Sequence, residues 1–328
     1  MRQSELMAAI EPEIAKIDET MRADLAVIGS TPLFEVLEHA IFNGGKRIRP
    51  ALTIFSARLT TAEALPEDAY RLAVTFEYLH AASLLHDDVI DHADQRRGNA
   101  SANALWGNST VILAGDYLHA RALLLAGTVA DGRCLDLIGR ATTAMVEAEF
   151  LQMETVRDGD RSEKNYFNVL HGKTSALIAA ACESGTVLAG ASTRQQAAMR
   201  TYGNNLGLAF QLVDDLLDYL GDPGQTGKKV GNDLHEGKMT LPLIIALERA
   251  RKEDRSFLEQ ILTLKSDDRA AQFERVRAVI ERCDGFRATR DKAAALLRTA
   301  ITELEHFPPS PVREVLAGLA TYVLSREK

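Results

Sequence analysis

Cysteine is scarce in this sequence: 328 residues include only Cys134, Cys182 and Cys283. Their number is odd and none forms a Cys-x-x-Cys pair, so we expect neither a disulfide framework nor a cysteine-bound zinc ion. Reduced thiols are typical of cytoplasmic proteins, and a cytoplasmic location is therefore expected. The N-terminal segment also lacks the apolar core of a secretory signal peptide.

Positive charge is in deficit as well. The chain has 38 Lys and Arg residues against 46 Asp and Glu residues, a net charge of -8 at pH 7. A general nucleic-acid-binding protein has a basic surface, so no nucleic-acid partner is expected.

Long apolar runs are missing too. The most hydrophobic stretch, residues 175–192, contains Glu183 and many small residues, which predicts a buried helix and no membrane span.

Strand patterns are also missing, because no series of short alternating Val, Ile and Thr segments occurs between turns. Apolar residues recur instead at three- and four-residue spacing, the period of an α-helix, in residues 69–86, 111–127, 137–156 and 206–220. No linker composition marks a second domain. We therefore predict an all-α fold, a single domain of residues 1–328 with roughly a dozen helices.

Two aspartate clusters with the same spacing end two of these helical runs: Asp87, Asp88, Asp91 and Asp214, Asp215, Asp218. Residues i and i+4 share a helix face, so the carboxylates of one cluster crowd together and repel unless a cation balances them. Oxygen ligands without histidine or cysteine suit Mg²⁺. A single cluster would equally fit a solvated helix end, but two copies favour a metal site. We expect the two helices to face each other and to enclose one site.

Basic residues follow glycines or aspartates in four short motifs, a pattern that indicates phosphate binding beside a magnesium site. They are Lys46, Arg47 and Arg49 in GGKRIRP, Arg96 and Arg97 in QRRG, Lys173 with Thr174 in HGKT, and Lys228, Lys229 and Lys238 after the second cluster. Taken singly, each is more often a surface charge. A nucleotide P-loop is excluded, because Phe167 and Asp222 stand where its first glycine is required.

Together these motifs resemble the trans-isoprenyl diphosphate synthases, and in particular their polyprenyl branch. The resemblance runs from Gly44 to Pro242, and residues 307–326 are similar to the last helix of that family. It implies the all-α isoprenoid-synthase fold, a large helical bundle with a central cavity, usually in a homodimer. It also implies the head-to-tail condensation of isopentenyl diphosphate with an allylic diphosphate.

The resemblance also assigns residues. It implies that all six aspartates hold Mg²⁺, about three ions per site, on the allylic diphosphate. Isopentenyl diphosphate would be bound by Lys46, Arg49, His80 and Arg97. The allylic diphosphate would be contacted by Arg96, Lys173, Thr174, Gln211 and Lys228, with Lys173 also acting in catalysis, and Lys238 would bind substrate as well. Lys229 and Asn232 depart from the pattern, which usually has a neutral polar residue and an aspartate there.

Product length should depend on the helix that ends at Asp87. Ala82 and Ser83 are small, and the resemblance implies that large aromatic residues there stop short products, so we expect a long product of roughly 30 to 50 carbons. Leu79 and Phe76 lie further along the same helix. Phe76 lies about 16 Å from Asp87 at 1.5 Å per residue. It either closes the far end of the tunnel that binds the growing chain or is ordinary core packing. Leu124 and Leu125 are the other candidates for closing the end of this tunnel. A shorter product, farnesyl or geranylgeranyl diphosphate, is the alternative.

Three rival function classes each share one feature with the chain. An HD-type metal phosphohydrolase is also helical, and His80 with His86 and Asp87 imitates its histidine-aspartate pair. It requires several imidazole ligands, however, and leaves the second cluster unexplained. A terpene cyclase has an aspartate-rich helix but no need of basic residues for a second diphosphate. A non-catalytic subunit of a hetero-oligomeric synthase would have lost one of the two clusters.

Overall fold

The protein is described here by a computed structural model that covers residues 2–61, 64–96, 98–129, 132–221 and 230–325. These ranges contain seventeen α-helices and one two-stranded ribbon, so the predicted all-α fold is confirmed. Five of the seventeen helices come after residue 250, and three span only five residues, which explains the excess over the expected dozen. Among the residues covered, no helix has the length and apolar character that crossing a bilayer requires.

The elements before residue 221 are α1 (Gln3–Leu25), α2 (Thr31–Phe42), α3 (Ile48–Thr60), α4 (Glu67–Ile90), β1 (Gln95–Arg96), β2 (Asn99–Ala100), α5 (Ala102–Trp106), α6 (Asn108–Val129), α7 (Gly132–Asp158), α8 (Glu163–Leu170), a π-helical turn (His171–Ser175), α9 (Ala176–Leu188) and α10 (Thr193–Leu220). Those after residue 230 are α11 (Asn232–Glu236), α12 (Leu241–Arg249), α13 (Lys252–Leu262), α14 (Ser266–Ala270), α15 (Phe273–Arg282), α16 (Gly285–Glu303), a 3-10 turn (Leu304–His306) and α17 (Pro311–Ser325).

The chain divides into two compact units. The first unit comprises Met1–Thr142, Leu177–Gly203 and Glu303–Gly318, and the second comprises Thr143–Ala176, Asn204–Thr302 and Leu319–Lys328. The boundaries fall inside helices α7 and α10, not in linkers. The single domain of residues 1–328 stays a prediction.

Helix α4 is the central element of the first unit. It packs against α3 and α6, and its side chains are buried on nearly every side between Ala69 and Leu85. Such all-round burial is typical of a helix inside a core and not of a surface helix. Its polar side chains therefore need partners: the Tyr78 hydroxyl, for example, donates to Asp24 Oδ2 at 3.0 Å.

The core of the second unit lies where α10 ends. Leu216 and Tyr219 of α10 pack with apolar residues of α12, α15 and α16. The Tyr219 ring stacks on Phe273 with 6.0 Å between ring centroids, and its hydroxyl lies 3.1 Å from Thr240 Oγ1. This packing fixes the turn of α10 that carries the second aspartate cluster.

Arg47 differs from the expectation that grouped it with phosphate-binding residues. It is the N-cap residue of α3, in the left-handed region at φ +50°, and is 6% exposed. Its Nε donates to Asp18 Oδ1 at 2.9 Å and its Nη1 to Glu77 Oε1 at 2.8 Å. Two carboxylates from α1 and α4 thus hold Arg47 inside the first unit, where it joins three helices.

Replacing Arg47 by Ala should leave the buried Glu77 carboxylate without its counter-ion. We expect the free energy of unfolding to fall by about 3–5 kcal/mol, the usual effect of removing one partner from a buried ion pair. Urea denaturation measures this change. The control is Arg71→Ala, which removes exposed pairs with Glu67 and Asp68 and should cost about 0–1 kcal/mol. Equal losses in the two variants would contradict the role given to Arg47.

Candidate active site

The first aspartate cluster lies at the C-terminal end of α4. This helix ends at Ile90 and Asp91 is its C-cap residue, so Asp87 and Asp91 follow each other by one turn. The C-terminus of a helix carries a partial negative charge, and α4 has no basic residue in its last turn. Cations supplied from other elements or from solution would therefore stabilise carboxylates in this place.

Arg96 supplies one such cation. Its Nε donates to Asp88 Oδ1 at 2.7 Å and to Oδ2 at 2.8 Å, and its Nη2 lies 2.6 Å from Oδ1. Asp88 is 3% exposed, so this charge pair is desolvated on the aspartate side. The ribbon of β1 and β2 holds Arg96 over the end of α4, with Gln95 paired to Ala100. Both oxygens of Asp88 are thus engaged by an arginine that was predicted to contact the allylic diphosphate.

A cavity in the first unit adjoins this pair. It is enclosed by α2, α4 and α5, and lined by residues that include His39, Ala81, Leu85, Asp88 and Arg96. His39 Nε2 lies 3.2 Å from the Ala100 carbonyl oxygen, and the His39 ring meets Trp106 edge-on at 5.1 Å. These contacts tie the ribbon that carries Arg96 to α2.

Three of the four residues predicted to bind isopentenyl diphosphate can be placed, and all three lie in the first unit. Lys46 is exposed just before α3, Arg49 is half-buried in the first turn of α3, and His80 is half-buried on α4. Arg97 lies outside the described residues. Binding of isopentenyl diphosphate by these groups stays a prediction.

The residues predicted to set product length form one run on α4. Phe76, Leu79 and Ala82 are 0–1% exposed, whereas Ser83 is partly exposed. The Ser83 hydroxyl donates to the His80 carbonyl oxygen at 2.9 Å. Ser83 is therefore the member of this run with space beside it.

The second aspartate cluster ends α10 as the first ends α4. Helix α10 stops at Leu220 and also lacks a basic residue in its last turn. The Asp218 carboxylate accepts the backbone N–H groups of Asn232 and Asp233, each at 3.1 Å, and its carbonyl accepts the Gly231 N–H at 2.8 Å. Asp218 therefore anchors the start of α11, next to the motif that contains Lys238.

A π-helical turn, His171–Ser175, carries Lys173 and Thr174 between α8 and α9. Such turns are rare and occur often at functional sites. Close packing holds this one in place: a Cβ at Gly172 would lie 2.5 Å from the Ala144 carbonyl oxygen, and one at Gly207 would lie 2.7 Å from Ser175 Cα. Glycine is thus required where α7 and α10 approach the turn.

A chain of hydrogen bonds joins the π-helical turn to the second cluster. The Thr174 hydroxyl donates to Gln211 Oε1 at 3.3 Å, and Gln211 Nε2 donates to Asp215 Oδ1 at 3.1 Å. The Tyr166 hydroxyl donates to the other oxygen, Asp215 Oδ2, at 2.6 Å. Asp215 is 4% exposed, and both of its oxygens are engaged. Its position in turn fixes Gln211 and Thr174.

Burial and neighbouring carboxylates raise the pKa values of two aspartates in this region. Burial, and then the nearby Asp233 carboxylate, raise the pKa of Asp215 well above its ordinary value, although the hydrogen bonds from Tyr166 and Gln211 act against this. Burial, and then the Asp218 carboxylate, raise the pKa of Asp233 to about 7, while Lys238 lowers it. Both carboxyl groups therefore keep their protons to higher pH than an exposed aspartate does, and a bound cation would favour their ionised forms.

Five of the predicted residues line one cavity of the second unit, with a volume of about 780 Å³ including its open mouth: Lys173, Thr174, Gln211, Asp215 and Lys238. Both lysines have carboxylate partners. Lys173 Nζ lies 2.5 Å from Glu149 Oε1, and Lys238 pairs with Glu236. Both side chains are about 30% exposed, so a ligand in the cavity can exchange with these partners. Lys228 and Lys229 lie outside the described residues.

Sequence reasoning missed three members of this site. No motif includes Tyr166 or Glu149, and their partners are 49 and 24 residues away in the sequence. Asp233 directly follows Asn232, which was noted only as a departure from the family pattern. The signal for Asp233 was its place between the second cluster and Lys238.

Comparison with known proteins decides the family. The polyprenyl synthetase family matches residues 30–280 of the 328. The chain belongs to the polyprenyl synthetase family. The predicted prenyltransferase class is thereby confirmed, and the phosphohydrolase and cyclase alternatives are not favoured.

Relatives at similar identity carry different product names. The octaprenyl diphosphate synthase of Escherichia coli (strain K12) is 35% identical over 96% of this chain and 94% of its own. The short chain isoprenyl diphosphate synthase of Methanothermobacter thermautotrophicus is 36% identical over 98% of this chain and 99% of its own. The crystal structure of a decaprenyl diphosphate synthase from Rhodobacter capsulatus has a TM-score of 0.90 at 36% identity, with 100% of both chains covered.

The raised pKa of Asp233 predicts a pH-dependent effect on stability. Because the folded state binds this proton more tightly than the unfolded state, stability is lost as pH rises towards 7. Asn cannot ionise, so without metal Asp233→Asn should melt a few degrees above the parent protein at about pH 8, and the gap should narrow towards about pH 5. Differential scanning fluorimetry with a chelator measures it.

The matched control is Asp268→Asn, at an exposed side chain. It should change the melting temperature equally at both pH values. A gap for Asp233→Asn that is the same at both pH values, or that widens towards acid, would contradict the raised pKa.

Proposed function

We propose that this polyprenyl synthetase condenses isopentenyl diphosphate head-to-tail with an allylic diphosphate and makes a long-chain, all-trans polyprenyl diphosphate. Family membership supports the reaction class. The observation that carries the substrate class is the second-unit cavity, where two lysines, Thr174 and Gln211 surround a buried aspartate. Lysine ammonium groups with carboxylates beside them suit a diphosphate that arrives with divalent cations.

The donor set fits Mg²⁺. Both clusters offer carboxylate oxygens only, at helix ends without basic residues in the last turn, and Mg²⁺ prefers such ligands. The aspartates of both clusters would hold it, about three ions per active site. Bound Mg²⁺ neutralises the charge that develops on the leaving diphosphate.

The side chains of the second-unit cavity have separate tasks in this proposal. Lys173 and Lys238 leave Glu149 and Glu236 and donate to phosphate oxygens, which stabilises the departing group. The Thr174–Gln211–Asp215 chain positions the π-helical turn. No protein nucleophile is required: the allylic C–O bond breaks, a C–C bond forms to isopentenyl diphosphate, and the diphosphate released takes the proton. The reaction also requires an apolar pocket that would keep water from the allylic cation.

The long product is proposed on the small side chains of Ala82 and Ser83. The relatives alone do not decide length, because an octaprenyl and a short-chain synthase are about equally similar. A larger side chain at this turn of α4 would close the space beside Ser83, which is the partly exposed residue among those predicted to set product length.

A homodimer and a cytoplasmic location complete the proposal. Helix α6 exposes large apolar side chains to an extent unusual for a monomer surface, among them Leu113 at 67% and Leu124 at 54%. A second copy of the chain covering α6 would bury them. All three cysteines are free thiols, which suits a reducing compartment such as the cytoplasm. Both diphosphate substrates would be water-soluble there.

The assay combines the purified chain with labelled isopentenyl diphosphate, farnesyl diphosphate and Mg²⁺. We expect chain growth with release of inorganic diphosphate, and a loss of about 100-fold or more in Asp214→Asn. Asp267→Asn, on the surface, should keep full activity. Release of inorganic phosphate, or a cyclic hydrocarbon, would contradict the proposal. Light scattering on the same preparation should give twice 35.9 kDa.

Product length is tested by Ser83→Phe and Ala82→Phe, with Ser83→Ala as the matched control. Phenylalanine at either position should shorten the product by several isoprene units, whereas Ser83→Ala should leave it unchanged. Ser83→Phe is the sharper test because Ala82 is fully buried, and filling a packed core costs about 1–3 kcal/mol. Mass spectrometry of the extracted product reads the length. An unchanged product in both phenylalanine variants would exclude this part of α4 as the limit.

A further inference from the structure

A cluster of two imidazoles and a carboxylate in the first unit has no part in the reaction above. It consists of His86 on α4 with Asp116 and His119 on α6. One ligand atom from each residue lies within 4.8 Å of the other two. From this geometry we propose that His86, Asp116 and His119 bind a transition-metal ion of the Zn²⁺ type, at a site separate from the magnesium-binding aspartates.

The backbone brings the three groups together. Asp116 and His119 are three residues apart on α6 and share a face of that helix. Helices α4 and α6 pack along each other, and Gly115 allows the close approach. A Cβ at Gly115 would lie 2.3 Å from His86 Nε2, so any larger residue would displace the imidazole.

The separations suit a single ion. His86 Nε2 lies 3.7 Å from Asp116 Oδ1, and the two imidazole centroids are 5.7 Å apart. Ligand atoms about 2.0–2.2 Å from a tetrahedral Zn²⁺ are about 3.4 Å from each other, so small side-chain rotations complete the site. The Ile112 carbonyl, 3.1 Å from His86 Nε2, keeps the ring against α6 until an ion replaces that contact.

The donor types decide which ion binds. Two imidazoles with one carboxylate favour Zn²⁺, Co²⁺ or Ni²⁺, whereas Mg²⁺ prefers oxygen ligands and gives up its water reluctantly. Asp116 is 64% exposed, so an ion reaches the site from solvent and water completes its coordination. The ion would link α4 to α6 at the residue just before Asp87.

Binding to the folded chain alone must raise its stability. Zn²⁺ or Co²⁺ should therefore raise the melting temperature when Mg²⁺ is present in excess. Because no prenyl substrate takes part, this effect is independent of the proposed function and can fail or succeed separately from it.

The test is a Co²⁺ titration of the full chain in excess Mg²⁺, followed by visible absorption and by calorimetry. The wild type should bind one Co²⁺ with the absorption of a nitrogen-containing, non-octahedral site, and Zn²⁺ should displace it. His119→Gln and Asp116→Asn should each weaken binding at least tenfold and abolish the rise in melting temperature. His306→Gln, outside the cluster, is the matched control and should bind as the wild type does.

Two results would overturn the proposal. One is Co²⁺ binding of equal strength and absorption in the wild type and both variants, which would place the ion at the aspartate clusters. The other is no Co²⁺ or Zn²⁺ binding in excess Mg²⁺. Asp116→Asn changes an exposed side chain, so it keeps the test decisive if His119→Gln is poorly folded. Prenyl transfer with Mg²⁺ alone should be unchanged in His119→Gln.

Discussion

Repulsion among carboxylates is the constraint that acts at each of the two aspartate clusters, at the end of α4 in the first unit and at the end of α10 in the second. Each helix end places three aspartates where its own dipole is negative and supplies no basic residue in the last turn. Two such charges about 4 Å apart repel by about 4 kcal/mol near a protein surface. The fold offsets part of this: Arg96 neutralises Asp88, backbone N–H groups surround Asp218, and Asp215 is held by Tyr166 and Gln211. Divalent cations would offset the remainder.

The basic side chains predicted to bind diphosphate are likewise balanced by neighbouring carboxylates. Arg96, Lys173 and Lys238 each rest against a carboxylate: Asp88, Glu149 and Glu236 respectively. The two lysine pairs are partly exposed, so each contributes little to stability and can be exchanged for a phosphate oxygen at modest cost, whereas Asp88 in the Arg96 pair is buried. The two glutamates therefore keep the lysines in place without binding them tightly. Under the proposed function, a substrate that brings both Mg²⁺ and phosphate would satisfy aspartates and basic residues alike.

Local pattern was enough to predict the all-α fold and the helices that carry the two aspartate clusters. Helical period placed both aspartate clusters at helix ends, and Lys173, Thr174 and Gln211 do line one cavity. Pattern failed where a partner is distant in sequence. Arg47 was grouped with its neighbours because its carboxylates are 29 and 30 residues away. Tyr166 was missed because its partner Asp215 is 49 residues away. The π-helical turn that carries Lys173 has no periodic pattern by which it could be predicted.

Helix α4 shows why distant partners decide the roles of single residues. A helix buried on nearly all sides cannot leave a polar side chain without a partner, since an unsatisfied group costs about 1–3 kcal/mol. Glu77 therefore meets Arg47, Asp88 meets Arg96, and His86 meets the backbone of α6. Each partner comes from a different element, so α4 holds the first unit together through the same residues that surround its site. A change in packing around α4 must then also move the aspartates at its end.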